Sequence, residues 1–210
     1  MMDEAHARGT GRLALAVGVV AVGSACSIAT YFAVGGPFGT MNDIGNATTG
    51  VLSGWLAWRL RGELERPTRN IAVGAAVTGA AVSAVGSALV VSGTTGWFFA
   101  GLVSSLGFAG IGAWLMTLNR SRGVGPARAA GLRRIGVVAG ALMVIGVAAV
   151  PGILLRIDDD ATAPGWAWIA FVGWLGIYVA YPIWAVRTGI AATRQPAPER
   201  AAAAGSAVAE

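Results

Sequence analysis

The sequence predicts an all-α polytopic membrane protein: a bundle of six transmembrane helices with both termini in the cytoplasm. Three observations predict it. Of the 210 residues, 55% are hydrophobic and only 12% are charged, against roughly 25% charged in soluble domains. A mean hydropathy of +0.66 leaves more apolar surface than a fold of this size hides from water. The apolar residues fall into six segments, and the arginines alternate around them.

A bilayer core needs about 20 apolar residues per helix. The predicted spans are about 13–35, 41–60, 70–92, 97–118, 135–155 and 165–186. The second, MNDIGNATTGVLSGWLAWRL, is the poorest in apolar residues. None alternates like a membrane strand, which disfavours a β-barrel. Residues 1–12 form an N-terminal tail, 13–187 the membrane domain and 188–210 a C-terminal tail. The Pro/Ala-rich end RQPAPERAAAAGSAVAE has no apolar stripe and reads as disordered.

Arginine sets the orientation. Arg8 and Arg12 precede span one. Arg59, Arg61, Arg66 and Arg69 follow span two. Arg120, Arg122, Arg128, Arg133 and Arg134 follow span four, and Arg187, Arg194 and Arg200 follow span six. Only Arg156 lies on the other side, beside Asp158, Asp159 and Asp160. Basic loops stay cytoplasmic. The net charge of +5 is thus a topology signal with affinity for anionic lipid, and nucleic acid is not an expected partner. The plasma membrane is the expected location, and the short loops leave no segment large enough to fold as a separate domain outside the bilayer. Arg8 and Arg12 followed by an apolar stretch and GSAC at 23–26 resemble a leader. However, the apolar run continues past Cys26 to Val34, so the first helix is expected to be retained.

Composition excludes several chemistries. All 15 basic residues are Arg, as GC-rich bacterial coding produces, so no lysine Schiff base can form. Cys26 and His6 are single, which leaves no disulfide within the chain and no Cys/His metal or haem site. No cofactor is expected.

Spans one, three and five each open with Arg before a small or β-branched run, at Arg12, Arg69 and Arg134. Spans two, four and six each close with Trp near Arg, at Trp58, Trp114 and Trp184. Three pseudo-repeated hairpins are one reading and a shared composition the other. Trp58, Trp97, Trp166, Trp168 and Trp184 suit an interfacial belt; Trp114 and Trp174 lie deeper and are the candidates for an aromatic ligand site. Gly79, Ser83 and Ser87, Gly101 and Ser105, and Gly136 and Gly140 recur at four-residue spacing. Such faces let helices approach closely, within the chain or in a homo-oligomer.

The best candidate for function is span two. Asn42, Asn46, Thr49 and Ser53 share one helical face, and polar groups do not face lipid cheaply. The stripe either bonds neighbouring helices or lines a solute path. Thr40-Met-Asn-Asp43 fits a capping box, which makes Asp43 a helix cap near the interface. In Arg156-Ile-Asp158-Asp159-Asp160 the arginine is expected to pair with an acid; a Ca²⁺ site would need six or more oxygens. Pro182 and Pro151 should bend spans six and five. Tyr178 and Tyr181 could meet the carbonyls freed by Pro182.

Away from helix ends no span holds Asp, Glu, His, Arg or Lys. Acid–base catalysis and proton-coupled transport both need such groups, and no catalytic motif is present in a supporting context. An enzyme is therefore not expected. Two classes remain. One is an accessory or structural membrane component that packs against itself or another membrane protein. The other is a small permease or channel for a neutral or weakly polar solute. A continuous polar cavity reaching Asn46, Thr49 and Ser53 would favour the second.

Overall fold

A computed structural model describes residues 4–121 and 130–194. The expected tail disorder and the placements of Arg122, Arg128 and Arg200 fall outside the described residues. Helices make up the described structure, with no strand among them. In chain order they are α1 (Glu4–Val34), α2 (Phe38–Arg59), α3 (Thr68–Val91), α4 (Trp97–Arg120), α5 (Ala130–Val144), α6 (Val150–Leu154), α7 (Ile169–Val172) and α8 (Tyr181–Arg194). A 3₁₀ segment, Ile145–Ala149, joins α5 to α6. A 3₁₀ turn (Gly165–Trp168) precedes α7, and a π-helical turn (Gly176–Ala180) precedes α8. Five of the resulting rods are long and apolar enough to cross a membrane: Ala5–Val34, Thr68–Val91, Trp97–Arg120, Ala130–Leu154 and Gly165–Thr193. The described residues thus form a helical bundle with several candidate membrane-spanning helices. At ~1.5 Å per residue α1 runs about 46 Å, so its first turns extend beyond a bilayer core of about 30 Å and absorb much of the expected N-terminal tail.

Each rod packs on its neighbour in sequence, and α1 packs on α8, so the bundle closes. Crossings form where glycines face each other. A Cβ at Gly107 would come within 2.6 Å of the Gly79 carbonyl, and one at Gly140 within 2.6 Å of the Gly112 carbonyl. Gly136 packs on Asn119, Gly101 on Phe171 and Trp174, and Ser83 on Gly50 and Gly107. The small-residue faces are thus used within the chain. Phe108, Ile111, Trp114, Leu115 and Leu118 of α4 fill the interior, with Leu56, Met143, Tyr181 and Trp184.

Both prolines have an irregular turn just upstream. Pro151 follows the 3₁₀ segment, and Pro182 follows the π turn. A proline cannot donate to the carbonyl four residues back and its ring crowds that carbonyl, so the distortion falls on the preceding turn.

Three expectations are corrected. Helix α2 starts at Phe38, after Pro37 and the left-handed pair Gly35 (φ 70°) and Gly36 (φ 73°). No side chain caps it, so Thr40 and Asp43 sit inside the helix and form no capping box. Trp184 is fully buried, edge-on to Trp114 and stacked on Tyr181, whereas Trp58, Trp97, Trp166 and Trp168 are exposed as a belt requires. Arg156 pairs with no described carboxylate. It takes the left-handed position (φ 53°) that ends α6, where Ile157 N–H bonds the Gly152 carbonyl.

Candidate functional site

The polar stripe of α2 points inward. Asn42, Asn46, Thr49 and Ser53 are all buried, while Met41, Ile44, Val51, Trp55 and Trp58 form its exposed face. Asp43, between the two faces, is half-buried.

The upper stripe joins three helices. The Ser24 hydroxyl of α1 lies 2.9 Å from Asn42 Oδ1 and 3.0 Å from Asn46 Oδ1. Asn46 Nδ2 donates to Tyr178 Oη at 2.8 Å, and Tyr178 in turn donates to Asn42 Oδ1 at 3.0 Å. The π turn holding Tyr178 aims this ring at α2. The tyrosines therefore serve the facing helix and not the carbonyls freed by Pro182. One turn further in, Tyr181 donates to Ser53 Oγ at 2.7 Å, and Ser53 donates to the Thr49 carbonyl at 2.6 Å. The Thr49 hydroxyl is buried with no hydrogen-bond partner among the described residues. Towards the arginine-rich end, Trp184 Nε1 donates to Asn119 Oδ1 at 3.3 Å.

A cavity of about 210 Å³ lies above the Asn42–Asn46–Tyr178 layer, at the end carrying the turns near 36, 93 and 158. Asn42, Asp43 and Asn46 line one polar side of it, and Thr40, Ser104 and Ser105 add hydroxyl groups. Tyr31, Phe32, Trp97, Phe108, Trp174 and Tyr178 supply rings. Trp174 is fixed by its Nε1 bond to Ser105 Oγ at 3.2 Å and by edge contacts with Phe171 and Tyr178. The cavity reaches neither Thr49 nor Ser53. Pro151 is exposed on α6 and is not part of the lining.

The structure thus brings Asn42, Asp43, Asn46 and Tyr178 together at one cavity, with Ser53 and Tyr181 paired beneath it. Ser24, bonded to Asn42 and Asn46, and Phe108 in the lining join them without having been singled out, and Trp97, read as an interfacial tryptophan, lines the cavity as well. Ser24 is one of several small polar residues in an apolar helix, and nothing local marks it. Trp174 is the deep tryptophan that reaches the cavity; Trp114 packs in the interior. Among the described residues no group of three or more His, Cys, Asp or Glu could hold a metal.

The acidic run divides its work. Asp158 receives the Gly96 N–H at 2.8 Å and the Phe99 N–H at 3.2 Å, capping α4 from a distant loop. Asp159 closes its own turn through Ala161 N–H and the Thr162 hydroxyl. At the opposite end Arg59 donates to the His6 carbonyl at 3.0 Å, and Arg133 to the Asn119 carbonyl at 3.1 Å. These arginines fasten helix ends.

Comparison with protein-family models, with curated proteins and with solved structures finds no match.

Proposed function

We propose that the chain is a non-enzymatic plasma-membrane component with six spans and both termini cytoplasmic, acting as an accessory or structural protein through packing with itself or a partner. Its α2 counts as a span in this reading because its polar residues are interior and its exposed face is apolar. Hydropathy averaged along the helix mixes the two faces. The arginine asymmetry supports the orientation. The hairpin order α1–α2 and α3–α4 fits a repeat, while the third hairpin carries two irregular rods.

One observation carries the accessory reading. Asn42, Asn46 and Ser53 of the polar stripe are taken up by bonds between helices, and the Tyr181–Ser53 pair with the Trp184–Asn119 pair fills the bundle below the cavity. A solute path would need that layer open. The second reading, a permease for a neutral or weakly polar solute, draws on the cavity that ends at Asn46.

Osmotic swelling of proteoliposomes in glycerol and urea separates the two. The accessory reading expects entry rates equal to protein-free vesicles. Faster entry that Asn46→Leu abolishes would overturn it in favour of the permease.

A further inference from the structure

We propose that the cavity beside Asp43 is a binding site for a small organic cation, a protonated amine or a quaternary ammonium group. This goes beyond both readings above, because binding requires no passage through the bundle.

Three features of the lining select that class. The first is charge. Among the described residues Asp43 is the one formally charged residue in the wall, and no arginine or histidine lines the cavity. The polar side chain beside it is the neutral Asn42 amide. A half-buried carboxylate within a bundle is costly unless a cation accompanies it. An anion would meet repulsion there.

The second feature is the aromatic surface. Phe108, Trp174 and Tyr178 stand deep in the cavity, and Tyr31, Phe32 and Trp97 stand at its more exposed rim. Ring faces attract cations electrostatically, and quaternary ammonium groups in particular, since they cannot form hydrogen bonds. Trp174 is already held by Ser105 and its neighbouring rings, so little ordering remains for a ligand to impose.

The third is the shortage of hard ligands. A divalent metal takes six or more oxygens. Here one carboxylate is available, Asn42 and Asn46 are already bonded to Ser24 and Tyr178, and of the lining hydroxyls Ser104 and Ser105 are engaged by the Ser83 carbonyl and Trp174, so that with Thr40 the side-chain oxygens fall short of six free ligands. The volume, about 210 Å³, lies below the roughly 300–1,000 Å³ usual for drug-sized ligands and suits a choline-sized group.

Such a group could arrive free in solution or as a lipid headgroup. The test uses the full chain in phosphatidylglycerol nanodiscs, titrated with choline, phenyltrimethylammonium and the uncharged carbon isostere of choline. Tryptophan fluorescence and thermal stability are read together. Saturable binding of the cations, at least about tenfold tighter than the isostere, is the expected result. Asp43→Asn should weaken choline about tenfold or more and remove the preference over the isostere; Trp174→Leu should weaken both cations, and Trp166→Ala neither. The isostere comparison needs no variant, so a misfolded Asp43→Asn protein does not spoil it. Equal binding of the isostere, or no saturable binding of either cation, would overturn the proposal. In phosphatidylcholine nanodiscs, loss of apparent choline affinity assigns the site to the lipid headgroup, and unchanged affinity assigns it to a soluble amine.

Discussion

The Tyr181 hydroxyl donates to Ser53 Oγ at 2.7 Å, joining residues 128 positions apart in the chain. Ser53 in turn donates a hydrogen bond to the Thr49 carbonyl at 2.6 Å. The pair is fully enclosed, and it closes the bundle between the cavity and the arginine-rich end.

Removing the donor should therefore cost stability without changing the fold. Interhelical hydrogen bonds in membranes average about 0.6 kcal/mol and reach about 1.7. Tyr181→Phe is expected near the upper value, because both partners are buried and the Ser53 bond to Thr49 polarises the chain. Ser53→Ala should cost less once Tyr181 is already Phe. A double-mutant cycle read by unfolding in mixed micelles measures the coupling; strictly additive losses would show that the contact contributes nothing.

The helix crossings make a second expectation, with its own control. A Cβ at Gly107 meets the Gly79 carbonyl at 2.6 Å and the backbone at Ser83. These are main-chain atoms, so α3 and α4 would have to separate. Gly107→Ala should destabilise by about 1–3 kcal/mol. At Gly74, on the same α3, an added Cβ meets nothing within 4 Å. Gly74→Ala should be neutral or stabilise by up to ~1 kcal/mol through helix propensity. Thermal unfolding of the two variants side by side would refute this if Gly74→Ala proved the worse.

Much of this architecture could be read along the chain, and the misreadings have a common cause. Spans one, three, four, five and six are apolar on every side, so their hydropathy alone marks them. Helix α2 was marked instead by the spacing of Asn42, Asn46, Thr49 and Ser53, which correctly gave its inward face. Its start was misplaced because Thr40-x-x-Asp43 matches a capping box locally. The turn is set instead by Gly35 and Gly36 in the left-handed region, and Pro37 just before Phe38 was the better signal. What those side chains bond to was not legible at all. Ser24 and Tyr178 reach them across 18 and 132 positions, and no local pattern encodes such a contact.

Trp184 shows the same limit from the other side. Three residues before Arg187, it has the position of an interfacial tryptophan. Its face of α8 points at Trp114 and Asn119, so the ring is buried and its N–H bonds an amide. The face a residue occupies, not its depth along the helix, decided the outcome.

Asp158 and Asp160 should separate sharply on mutation, though they stand two residues apart. Asp158 bonds the Gly96 and Phe99 N–H groups at the start of α4, a helix with no side-chain cap of its own. Losing such a cap costs about 1 kcal/mol, up to ~2. Asp158→Ala should show that loss, and Asp160→Ala should stay within about 0.5 kcal/mol of the parent, as for an ordinary surface change. Equal effects would mean that the acidic run acts through bulk charge alone.

The orientation proposed from arginine makes the most exposed prediction. Reporter fusions at 62–66 and after 194 should be cytoplasmic, and fusions at 93–95 and 159–162 should be exported. The polar interior of α2 puts the count most at risk, because its stripe would suit a helix lying outside the membrane. Its apolar exposed face argues against that: Ile44, Val51 and Trp55 are each more than half exposed along more than two turns, a surface that water would penalise. If α2 did not cross, the loop at 62–66 would move to the same side as the turn near 36. Every later loop would then exchange sides, and the arginines between α4 and α5 would be exported against the charge rule. A cytoplasmic signal at 93–95 would therefore reject the six-span reading, whatever the fusion after 194 reports.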